Sequence, residues 1–351
     1  MLPNRIVAIG SSAGGIETLS ALFADLPASV DAAFFVTQHL SPSYQSMLPN
    51  ILNRCSRLQA VHPPAEGVPV QRGMIYVAPS DHHLLVEGDR VFIARGPKEN
   101  RFRPSVDALF RSVAYVYGPR AIGVVLSGAL DDGTSGLWSI KRLGGVTVVQ
   151  DPADAAFDSM PASAIQQVEI DHCLPVPDIA RLLVRLAAEP VGHAPDDVEE
   201  DRRRMRLETS ILADGDAFSK GVTELGDYTP FTCPECAGVL VRVREGGGTR
   251  FRCHTGHGYT NSALIIGVVE KTEAGYWAVM RGLEEAAMLL DEMGGTQTAD
   301  GDKDTATIFR HEAAHAKSQS RQLRRLVLSE KRVGSEAVGA AIFGDGVVAE
   351  E

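Results

Sequence analysis

The sequence predicts an α/β fold: a doubly wound, mostly parallel sheet with a β-hairpin insertion, followed by a small Cys/His module and C-terminal helices. Three observations carry this. Short β-branched apolar runs alternate with amphipathic stretches over the first half of the chain. A pair of alternating segments meets at Gly88-Asp89. Three cysteines and two histidines cluster between 233 and 257.

The elements follow in order. RIVAIG (5–10), AAFFVTQ (32–38), GMIYVAP (73–79), AIGVVLSG (121–128) and VTVVQ (146–150) read as strands buried on both faces, because they are apolar without alternation. GIETLSALFADL (15–26) and SVDALFRSVAYVY (105–117) repeat apolar residues at three-to-four spacing and read as helices. LLVEG and RVFIARG (84–96) form the hairpin. Composition then shifts, dividing the chain into 1–188, an acidic linker and charged helix at 189–228, the Cys/His module at 229–261, a helical region at 262–332 and a flexible tail at 333–351. The polar run GGTQTADGDKDT (294–305) is expected to separate two helices, 262–293 and 305–331.

Bulk properties exclude some functions. The 351 residues carry a formal net charge of −11, which disfavours nucleic acid as a partner. The start, MLPNRIVAIG, lacks the pattern of a secretory signal, and no apolar run of about 18 residues exists to span a membrane. The five cysteines are unevenly placed, unlike a disulfide framework. A cytoplasmic protein without membrane insertion is expected. Cys55 and Cys173 read as small apolar residues.

The turn Gly10-Ser11-Ser12-Ala13-Gly14-Gly15 follows a strand and opens a helix. It fits G-x-S-x-G with Ser12 at its centre, where glycine supplies unusual dihedrals and the helix N-terminus favours an oxyanion. A dinucleotide fingerprint fails because Ser12 stands at the third position. A phosphate loop fails because Ile16 follows Gly15. The turn could equally serve only to join strand and helix. A nucleophile needs a base and an orienting acid. His39 ends one predicted strand, and Asp131 and Asp132 follow another. All lie at the carboxyl edge of a parallel sheet, where ligands bind. That edge favours His39 over His62, His172 and His193.

The module reads Cys233-x₂-Cys236, sixteen residues, then Cys253-x₃-His257. Each short pair suits a knuckle, with Gly238 or Gly256 easing the turn. Three thiolates and an imidazole suit a structural, tetrahedral Zn²⁺ in a zinc-ribbon-like module. His254 is the alternative fourth ligand, less well placed to close its knuckle.

IGSSAGG (9–15), TQHL (37–40), YVAPSDHHL (76–84), RPSVDALFRSVA (103–114), LSGALDDGTSG (126–136) and Gln150…Met160-Pro161 together resemble the catalytic domain of CheB-type chemotaxis methylesterases, over about residues 4–187. The resemblance implies a serine esterase that hydrolyses γ-methyl esters of receptor glutamates; some members also deamidate receptor glutamines. It implies Ser12 as nucleophile rather than Ser11, His39 as base and Asp132 as orienting acid, with amides near Ala13 binding the oxyanion and no catalytic cofactor. The family often reads Met-Gly-x-Asp-Gly where this chain has Ala129-Leu130-Asp131-Asp132-Gly133. His83 and Arg103 fall in matching segments, as substrate contacts or as surface polar residues. The expected partners are a methylated receptor as substrate and a methyltransferase or other signalling protein. The family's N-terminal receiver domain is expected to be missing, since the chain begins at the strand leading to Ser12. A regulatory or scaffold protein using the same fold is the alternative function.

Overall fold

The computed structural model describes residues 3–246 and 248–328, so the expected tail at 333–351 lies outside the described residues. The described residues divide into two units, 3–264 and 265–328. The first opens with β1 (Arg5–Ser11), α1 (Gly15–Ala24), β2 (Ala32–Gln38), α2 (Leu48–Cys55), β3 (Gln59–Val61), β4 (Val68–Pro69), β5 (Met74–Val77), β6 (His83–Glu87) and β7 (Arg90–Ala94). It continues with α3 (Val106–Tyr117), β8 (Ala121–Val125), α4 (Thr134–Arg142), β9 (Val146–Gln150), α5 (Ser159–Gln167), β10 (His172–Leu174), α6 (Val176–Ala188) and α7 (Glu199–Asp214).

Among the described residues, seven strands form one sheet in the order β10-β9-β8-β1-β2-β5-β3, and every pairing in it is parallel. The chain builds outward from β1 on one side and returns through β8 on the other. This reversal leaves a crevice at the strands' carboxyl ends. Along β1, Val7 and Ile9 face α1, α2 and α6 through Leu19, Phe23, Leu52 and Ile179, whereas Ile6 and Ala8 face α3 and α4 through Leu109, Phe110, Leu137 and Ile140. The alternation follows from the two-residue strand repeat. Both faces are covered, so the strands lack a polar side. Each such aliphatic or aromatic side chain contributes about 1.5–3 kcal/mol of burial. The expected hairpin is present as β6 and β7, extended by β4 into a separate three-stranded sheet.

The Cys/His module is a four-stranded antiparallel sheet, β11 (Asp227–Thr232), β12 (Val239–Glu245), β13 (Gly248–Cys253) and β14 (Gly258–Thr260). A buried ionic cluster joins it to the rest of the unit. Arg250 and Arg252 on β13 and Arg111 on α3 meet Glu208 on α7, Glu99 and, for Arg250, Glu245. These side chains are at most 4% exposed. Burial would raise the carboxyls, but the facing guanidinium charges more than offset it. Glu99 is lowered to about 2, and Glu208 is held well below its ordinary value.

The second unit comprises most of α8 (Asn261–Ala299) and α9 (Lys303–Val327). They run antiparallel, tied by Arg310–Thr298, Lys317–Asp291 and Arg324–Glu284. The separating polar run begins later than expected, because α8 continues through Gly294-Gly295 to Ala299. A β-carbon on Gly294 would lie 3.3 Å from the Ala306 carbonyl oxygen, so the glycine admits α9 closely. Helix packing here overrides low helix propensity. Asp302 caps α9 by accepting the Thr305 amide. No helix among the described residues is long and apolar enough to cross a membrane.

Candidate active site and metal centre

The parallel register places Ser11 opposite Gln38. The next residues, Ser12 and His39, therefore leave adjacent strands side by side, and the His39 amide donates to the Ser11 carbonyl at 3.1 Å. Gly14 has φ 70°, a left-handed conformation that lets the chain turn from β1 into α1. On the opposite flank the Ser12 amide donates to the carbonyl of Ser127, just beyond β8.

Ser12 Oγ lies 3.2 Å from His39 Nδ1, and His39 Nε2 lies 2.8 Å from Asp132 Oδ2. Nε2 faces a carboxylate and so carries the proton, leaving Nδ1 as the acceptor toward the hydroxyl. The ring is used in the opposite sense to the serine-protease template, where Nε2 faces serine. The 3.2 Å separation is at the long end of the hydrogen-bond range. The Phe102 ring stacks on the imidazole at 3.8 Å between centroids and 11° between planes.

Asp132 is 1% exposed and fully engaged. Its Oδ1 accepts from Asn100 Nδ2, Ser105 Oγ and the Asp107 amide; its Oδ2 accepts from the Val106 amide as well as His39. The two amides belong to the first turn of α3, an anion-favouring position. Burial alone would raise this carboxyl. The hydrogen bond and charge of His39, with Asn100 and the Val106 amide, outweigh burial and lower its pKa. Asp131, beside it, turns away to accept the Thr260 hydroxyl at 3.1 Å. Sequence reasoning missed Gln38, Asn100, Phe102 and Ser105. Gln38 and Ser105 lie within the quoted motifs, but nothing in spacing distinguishes such a residue from its neighbours.

Two expectations need correction. His83 is fully buried and is neither a substrate contact nor a surface residue. Its Nε2 donates to the Pro97 carbonyl and its Nδ1 accepts the Ser105 amide, while burial lowers its pKa to about 4 and keeps it neutral. Arg103 is spent on Asp81 and the Gly96 carbonyl. Cys173 is exposed, not packed as an apolar residue.

In the module, the ligand atoms of Cys233, Cys236, Cys253 and His257 lie within 4.8 Å of one another, and His254 stands outside this group. Gly238 does not ease the first turn: Ala237 takes the left-handed conformation at φ 61°. Gly238 instead makes room for His254, whose Cε1 would lie 2.1 Å from an added β-carbon. Gly256, at φ 102°, does shape the second turn. Hydrogen bonding between Cys233 and Cys253 pushes the Cys253 thiol down to about 2 and the Cys233 thiol up. Thiols this close share protons unless a cation replaces them, and a three-sulfur, one-nitrogen set suits a borderline-soft divalent ion.

The family model for CheB methylesterase matches residues 7–183. A protein of Leptospira interrogans, provisionally named a protein-glutamate methylesterase/protein-glutamine glutaminase, is 38% identical over 181 residues, covering 51% of this chain and 93% of that protein. A protein-glutamate methylesterase/protein-glutamine glutaminase 2 of Methanosarcina mazei is 36% identical, covering 52% of each chain. This chain thus spans about half the length of that relative. The crystal structure of the Thermotoga maritima CheB methylesterase catalytic domain is 33% identical and covers 52% of this chain and 98% of that one, with a TM-score of 0.49. With the matched segment reaching from β1 into α6, the chain belongs to the CheB methylesterase family of carboxylic ester hydrolases.

Proposed function

We propose that this protein hydrolyses γ-methyl esters of glutamates on a chemoreceptor-like protein through Ser12, His39 and Asp132. The observation that carries the proposal is the hydrogen-bonded line Ser12–His39–Asp132 at the sheet's carboxyl edge. His39 Nδ1 takes the Ser12 proton as Oγ attacks the ester carbonyl. The resulting imidazolium is held by Asp132 and then protonates departing methanol. Water, deprotonated by the same nitrogen, attacks the acyl-enzyme and regenerates Ser12. The Ala13 amide has no acceptor among the described residues and follows the nucleophile directly, so it is the natural oxyanion donor. Glutamine deamidation would use the same steps with ammonia leaving. No catalytic cofactor enters this scheme.

Cys233, Cys236, Cys253 and His257 would hold one Zn²⁺ as a structural ion, since a full protein ligand set leaves no open position for substrate. The test of the hydrolase is methanol release from receptor-bearing membranes labelled at the methyl esters. Wild type should release methanol and Ser12→Ala should not. Equal release by both would exclude Ser12.

A further inference from the structure

The segment between β7 and α3 touches both partners of the hydroxyl-bearing residue. Phe102 stacks on His39, and Asn100 donates to Asp132. Asn100 and Arg101 both have left-handed backbones, at φ 51° and 73°, a conformation uncommon for residues with side chains, though asparagine enters it more readily, so neighbouring structure helps to impose it. The imposing element is β14. The Gly258 amide donates to the Lys98 carbonyl, the Asn100 amide donates to the Gly258 carbonyl, and Glu99 bridges Gly258 in parallel fashion. Gly258 directly follows the ligand residue His257.

Asn100 is only 2% exposed, and both hydrogens of its side-chain amide are committed. Its two Nδ2 hydrogens go to Asp107 Oδ2 at 2.7 Å and Asp132 Oδ1 at 2.9 Å, and its Oδ1 accepts the Thr260 amide of β14 at 2.9 Å. That last bond fixes which end of the amide faces the carboxylates. Without it, rotation by half a turn would present oxygen to the carboxyl groups of Asp107 and Asp132. Thr260 also donates its hydroxyl to Asp131 and accepts the Ala263 amide at the start of α8.

We infer that Asn100 and Phe102 are positioning residues for Asp132 and His39, and that the metal-bearing module holds them in place through β14, making metal occupancy a requirement for turnover. This deepens the serine-esterase reading and rests on it. Metal loss frees His257, loosens β14, and lets Asn100 and Phe102 shift while Glu99 stays paired with Arg111 and the parallel sheet stays folded.

The test uses the full-length protein, stripped with a chelator and reloaded with zinc. Bound metal is read by elemental analysis, and Ser12 reactivity by a phosphonate probe. Stripping should slow labelling by about tenfold or more while the far-ultraviolet signature of the α/β sheet persists, and zinc should restore it. Asn100→Ala and Phe102→Leu, both zinc-loaded, should lower kcat with KM little changed. In Asn100→Ala the acid limb of kcat/KM should move to higher pH, because an Asp132 with one donor fewer holds the imidazolium more strongly. Full reactivity in the stripped protein, or an unchanged profile in both variants, overturns the inference and leaves the esterase standing. Labelling of the zinc-loaded wild type no faster than Ser12→Ala overturns the serine assignment and this inference with it.

Discussion

The Gln38 side-chain nitrogen lies 2.7 Å from the Ser12 carbonyl oxygen and 3.0 Å from that of His39, while its Oε1 accepts the Ser11 hydroxyl at 2.6 Å. One side chain therefore fastens the Ser12 turn to the strand end that carries His39. Gln38→Ala leaves these groups without their partner in a site where Gln38 is 4% exposed. We expect kcat to fall about 10–100-fold with a smaller change in KM, since a 1 Å misplacement can cost about 100-fold. Steady-state kinetics on methylated receptor would check it, and an unchanged kcat would show that the register alone aligns the two residues.

Gly128 stands against Ser12 on the other side. A β-carbon there would lie 2.1 Å from Met160 Sδ and 2.8 Å from Ser12 Cβ. Methionine can shift, but the Ser12 β-carbon is fixed by its turn. Gly128→Ala should cost about 1–3 kcal/mol in stability through overpacking and displace Ser12. Denaturant unfolding gives the first quantity and phosphonate labelling the second.

Glu208 is the acceptor shared by Arg250 and Arg252, which come from the module, and lies 3.4 Å from Arg111 Nε. Glu208→Ala strands buried guanidinium groups and should destabilise the protein by about 3–5 kcal/mol. Thermal unfolding would register this as a large fall in Tm. A loss below about 1 kcal/mol would mean that water reaches the cluster in the variant.

Asp131 behaves oppositely. Burial, with the charge of Asp132 adding and the Thr260 hydroxyl opposing, pushes its carboxyl up to about 6. The folded state therefore holds this proton more tightly than the unfolded chain does. Its contribution to stability is present below the unfolded pKa near 4 and is lost as pH rises through 6. Asp131→Asn keeps an acceptor for Thr260 and removes the ionisation. The variant should match wild type near pH 4 and gain on the order of 1–3 kcal/mol by pH 8. Unfolding midpoints across that range would reveal a gain that is flat, or reversed in sign, if the carboxyl is ordinary.

Much of this fold was readable because its signals are local. Apolar runs such as AAFFVTQ and VTVVQ match β2 and β9 residue for residue, and Gly88-Asp89 marks the β6–β7 turn. Ser12, His39 and Asp132 stood out because each follows a strand. The supporting residues had no such marker. Asn100 and Thr260 meet only through tertiary packing, and Glu99, Glu208 and Arg252 resemble solvated charges until the chain folds. His83 was misread for the same reason: the burial that neutralises it comes from segments distant in sequence.

The Asn100–Thr260 bond spans 160 residues of chain. Contacts within neighbouring strand–helix–strand pieces close short loops and form early; closures this long are entropically slow. During synthesis the ribosome delivers the Ser12 hydroxyl well before the clamp on Asn100, which follows only after the whole parallel sheet has emerged. Contacts that complete the surroundings of Asp132 thus form after the parallel sheet, so a chain halted before Thr260 carries Ser12 and Asp132 without them.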